Sequence, residues 1–70
     1  MTNSALLREY IEKSGLKISF IAESIGVSRA ALWKKLNNRS SFNQYEIERL
    51  CNILDIKSLR VKEEIFFAKV

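Results

Sequence analysis

The stretch SFIAESIGVSRAALWKKL, Ser19 to Leu36, decides how this chain of 70 residues is read. Two short runs of helical spacing flank one glycine. In the first, Ile18, Ile21, Ala22 and Ile25 fall on a single face. In the second, Leu32 and Leu36 share a face one turn apart. Gly26 between them can take the positive φ that a tight interhelical turn requires. Ala22 is small enough for the next helix to cross closely, Val27 plugs the core beneath the turn, and Ser28 is a natural N-cap. The spacing predicts a helix from about Ser19, with Ser19 as its candidate cap, to Ile25. A second helix is expected from Arg29 to about Asn37. Helix, Gly-containing turn and capped helix together meet the requirements of a helix-turn-helix.

Outward from that core, the chain carries no Pro and only two Gly, so Gly15 and Gly26 act as punctuation. A first helix is expected from Asn3 or Ser4 to Ser14, with Leu7 and Ile11 inward and Gly15 as a left-handed stop. Asn37 to Ser41 is polar and reads as a loop. Asn43 then opens a fourth helix with Glu46 three residues on, a capping-box spacing, and Ile47, Leu50, Cys51 and Leu54 form its apolar stripe. Ser58 caps a short fifth helix reaching roughly Glu64. The expected fold is all-α: one domain over residues 1–70, five helices, and an apolar tail at 65–70 that is strand-like or extended.

Charge is unevenly placed. The formal net charge is +4, yet no acid occurs between Glu23 and Glu46. That window holds Arg29, Lys34, Lys35 and Arg39, which account for the whole excess. A local patch of one sign is the footprint of a polyanionic partner, though many charged helices are merely solvated. Other chemistries lack parts. With no His and one Cys, neither an imidazole-based triad, a Cys/His zinc cluster nor an internal disulfide can be built. An enzyme is therefore not expected, nor a cofactor. Charges at Arg8, Glu9, Glu12 and Lys13 interrupt any leader-like run, and no long uncharged stretch could span a bilayer. A cytoplasmic protein is expected. A chain this short buries only ~60% of its unfolded surface, so pairing with a second copy would supplement its stability.

The run Ile21 to Leu32 resembles the helix-turn-helix of phage Cro and repressor proteins. Lys35-Leu36-Asn37-Asn38, then Ser41-Phe42 and a capped helix, is similar to small phage regulators of Gram-positive hosts. The ending Glu64 to Val70 is similar to theirs too, so the likeness covers nearly the whole chain. Ile18-Ser19 stands where that family often has Gln on a phosphate, and Lys35 stands where it usually has an apolar residue.

The resemblance implies a lambda-repressor-like domain acting as a sequence-specific transcriptional regulator in a bacterial host. Its third helix would enter the major groove of operator DNA. Arg29, Ala30, Trp33 and Lys34 would form the base-reading face: arginine to guanine, alanine to a thymine methyl, lysine to guanine acceptors. Trp33 has two further readings, stacking on the sugar–phosphate edge or packing on the loop or the fourth helix. Ser19, Ser28, Lys35, Asn38, Arg39 and Ser40 would hold phosphates. Double-stranded DNA is the implied partner, in a homodimer, with no small-molecule ligand. The tail residues Ile65, Phe66 and Phe67 either fold over their own core or lie across the dimer axis. The alternative is a modulator or anti-repressor that binds a partner repressor instead of DNA.

Overall fold

Four of the five helices begin on a side chain that accepts a backbone N–H of the first turn. In the computed structural model, which describes residues 1–67, these are α1 (Ser4–Ser14), α3 (Arg29–Leu36), α4 (Gln44–Ile53) and α5 (Leu59–Phe66). Asn3 accepts from Leu6 N at 3.2 Å, Ser28 from Ala31 N at 3.1 Å and Ser58 from Val61 N at 3.4 Å. Asn43 and Glu46 make the expected capping box at 2.8 and 3.0 Å. The exception is α2 (Ile18–Ile25). Its N-cap is Lys17, which makes no side-chain cap bond. Ser19 is therefore not the cap; the Lys17 carbonyl already accepts from Ile21 N at 3.0 Å, so the helix starts a residue earlier than expected.

The ends of α1 to α4 are set by left-handed residues, Gly15 (φ +71°) closing α1. Gly26, at φ +80°, lets Val27 N reach back to Ala22 O at 3.0 Å and closes α2. A Cβ there would meet no heavy atom within 4 Å, so it is the backbone angle rather than space that asks for glycine. Asn38 (φ +59°) and Asp55 (φ +56°) do the same after α3 and α4. Their successors reach back at 2.8 Å, Arg39 N to Lys34 O and Ile56 N to Cys51 O. Asn and Asp are the non-glycine residues that tolerate this region best.

One apolar cluster draws on all five helices: Leu7 and Ile11; Ile21, Ala22 and Ile25; Leu32 and Leu36; Ile47, Leu50 and Cys51; Ile65 and Phe66. α2 packs chiefly on α4 and α3, and α1 meets α3 and α5. The assembly is compact, within 27 × 24 × 20 Å, and has no strand among the described residues. No helix among them is long and apolar enough to cross a membrane.

The tail departs from expectation. α5 runs to Phe66 rather than Glu64, so Ile65 and Phe66 are helical, not extended. They are 0% and 5% exposed, and Phe66 meets Phe42 edge-on at 5.7 Å. Helical spacing puts both on the inward side of α5, where they complete the core. Neither is free to cross a dimer axis. Phe67 remains 54% exposed. The remainder of the tail expectation, residues 68–70, lies outside the described residues.

Candidate nucleic-acid interface

Leu32 and Leu36 fix how α3 sits. They are 0% and 3% exposed, so the opposite face of the helix must point to water. That face carries Ala30 and Lys34, with Trp33 on its flank, while Arg29 stands in the first turn nearer the leucine side; all four are exposed. Among the described residues, the ion pairs join Lys13 to Glu9, Lys35 to Glu46, Lys57 to Asp55 and Arg60 to Glu64. Arg29, Lys34 and Arg39 enter none of them. Three exposed cations thus stand on α3 or just after it with no acidic partner among the described residues.

Beyond α3 the chain is tied down closely. The Asn38 amide donates to Thr2 O (3.0 Å) and Ser4 Oγ (3.1 Å), and its Oδ1 accepts from Thr2 N (3.0 Å). Asn3 N donates onward to Ile65 O at 2.6 Å. The N-terminal segment therefore clamps the end of α3 against α5. This removes Asn38 from the expected phosphate contacts, because its amide is already engaged on both sides. Arg39 follows immediately, with its guanidinium over the Trp33 ring at 5.3 Å from the centroid.

Lys35 is a second correction. Its Nζ lies 3.0 Å from Glu46 Oε1 and 2.9 Å from Ser41 O, over the Phe42 ring. The two charged side chains are only 14% and 8% exposed. Lys35 points into the α3–α4 seam, not toward a phosphate. The position that suits an apolar residue is filled by the lysine stem, with its charge answered by Glu46.

A family profile described as Protein of unknown function (DUF739) matches residues 2–69 of this chain. The chain belongs to that family. No curated protein and no solved structure matches it.

The remaining positions of this DUF739 chain divide cleanly. Ser28 is exposed, and its hydroxyl oxygen already serves as the α3 cap. Ser19 is exposed in the first turn of α2, and Ser40 is exposed in the loop after α3. Two cations escaped the sequence reading. Lys17 is exposed at the uncapped start of α2. Arg8 reaches across from α1 to donate to Asn37 Oδ1 at 3.3 Å, beside the end of α3. Neither lies in the acid-free window, so no local signal marked them. Among the described residues, no group of three or more His, Cys, Asp or Glu forms a metal site. Cys51 is 7% exposed in the core. Burial pushes its thiol above the ordinary value, with Lys62 partly opposing, so it is a poor nucleophile at neutral pH.

Proposed function

We propose that this chain is a sequence-specific DNA-binding transcriptional regulator of the Cro/repressor kind, with α2 and α3 acting as a helix-turn-helix and α3 lying in the major groove of operator DNA. The observation that carries the reading is the exposed surface of α3. Arg29 in its first turn, and Ala30 and Lys34 opposite the leucines, stand exposed on a short capped helix whose Leu32 and Leu36 are locked into the core. Arginine and lysine can meet guanine O6 and N7, and a small apolar residue can meet the thymine methyl. Ser19, Ser28 and Ser40, with Arg39, supply contacts to phosphates, joined by Lys17. No cofactor or small ligand enters the mechanism.

A homodimer would bring two such helices to two half-sites. Leu59 and Phe67, 68% and 54% exposed, flank an apolar notch with Gln44, Lys62 and Glu63. An antiparallel pairing of two α5 helices sets Leu59 against the second copy's Phe67 and Lys62 against its Glu63. Sedimentation of Leu59→Lys beside the unaltered chain tests this; a dimer unaffected by the change places the interface elsewhere.

The functional test is binding to the DNA immediately upstream of the protein's own gene, with excess competitor DNA at two salt concentrations. Tight, competitor-resistant and salt-weakened binding is the expected result. Binding indifferent to sequence, together with capture of a neighbouring repressor, overturns it in favour of a protein-directed modulator.

A further inference from the structure

We infer that Trp33 does not read bases but supports Arg39, and that the pair is a pre-set clamp for one backbone phosphate of the duplex. This rests on the operator-binding reading above and assigns two residues within it.

The chemistry of the two side chains favours this division. An indole offers one N–H donor and no acceptor, a poor tool for telling base pairs apart. A guanidinium held over a ring, as Arg39 is at 5.3 Å from the Trp33 centroid, spends none of its N–H donors on a hydrogen-bond acceptor there. Those donors are the part a phosphate takes in paired hydrogen bonds. Resting over Trp33 and binding a phosphate are therefore compatible, whereas insertion of Trp33 among base edges would take the ring away from Arg39.

The frame is fixed before any DNA arrives. Arg39 N is held by Lys34 O at 2.8 Å, and the Asn37 amide donates to Trp33 O at 2.8 Å. Asn38 is tied to the N-terminal segment on both sides of its amide. Arg39 has no carboxylate partner among the described ion pairs. An eight-residue helix rises about 12 Å, close to the major-groove width. With Arg29 on the groove floor at one end, Arg39 arrives at the phosphate wall at the other.

The test begins with a duplex enriched from a random-sequence pool by the unaltered protein, and a scrambled duplex of the same composition. Affinity for both is measured across a salt series for Arg39→Ala, Arg39→Lys, Trp33→Ala, Trp33→Phe and the Trp33→Ala/Arg39→Ala double variant. Circular dichroism checks the fold; both side chains are exposed, so it should survive. Arg39→Ala should weaken both duplexes by one common factor and reduce the salt slope by about 1. Trp33→Ala should move in the same direction, Trp33→Phe should recover most of the loss, and the double variant should be no weaker than Arg39→Ala. If Trp33→Ala instead changes the ratio between the two duplexes, Trp33 reads bases and the inference fails. A salt slope unmoved by Arg39→Ala also overturns it, while leaving operator binding intact if Arg29→Ala still abolishes the preference. Failure of the unaltered protein to bind any duplex overturns both.

Discussion

The outer face of α3 and the seam between α3 and α4 use the same residue types to opposite ends. Lys34 and Lys35 are adjacent, yet Lys34 stands exposed with no ion pair among the described residues while Lys35 is nearly buried against Glu46. On the outer face the cations are left for something else to neutralise. In the seam the charge is answered internally and holds two helices together. What separates the two roles is burial and pairing, not charge. The comparison predicts that variants in the seam change stability, and variants on the face change DNA recognition.

The largest effect belongs to the seam. Glu46→Ala leaves the Lys35 charge without its partner and removes half of the α4 capping box, a loss of about 3 kcal/mol. For a domain this small that lowers the melting temperature by at least about 12 °C. A thermal melt unchanged by Glu46→Ala would dissolve the distinction between the two regions. Next comes the face. Arg29→Ala and Lys34→Ala should each cost about 1–3 kcal/mol of discrimination between enriched and scrambled duplexes, read by fluorescence anisotropy. Their melting curves should match that of the unaltered chain.

Smaller effects sharpen the boundary between the regions. Asn38→Ala loses three hydrogen bonds to the N-terminal segment and places alanine in the left-handed region, which alone costs about 1–2 kcal/mol. Asn38→Gly should recover part of that stability, since glycine tolerates φ +59°. A common melting temperature for the two variants would show that the backbone angle is irrelevant. The smallest effect is on pH. Burial raises the folded Cys51 pKa above its unfolded value, so its contribution is fully present below about pH 8.5 and declines above it, where the unfolded thiol ionises first. Melts across that range should fall more steeply for the unaltered chain than for Cys51→Ala.

The helices were legible because their signals are local. Ser28, Asn43 and Ser58 mark their own starts, and the spacing of Ile47, Leu50 and Cys51 marks its own inward face. The α2–Gly26–α3 unit was legible for the same reason. The fates of Lys35 and Asn38 were not, because their partners lie on other elements: Glu46 in the next helix, Thr2 at the far end of the chain. Both stand among the phosphate contacts that the resemblance implies from their place along the chain. Ile65-Phe66-Phe67 misled differently. Three consecutive apolar residues fit a strand as well as a helix, and only the packing of α5 shows that two face inward and one outward.

The most direct measurement is amide chemical-shift mapping of the chain as an enriched duplex is added. The account expects the largest changes from Ser28 to Lys34 and at Arg39, with Lys35, Glu46 and the inner face of α5 little moved. Changes centred on α5, or none anywhere with duplex in excess, would contradict the claim that the outer face of α3 meets DNA.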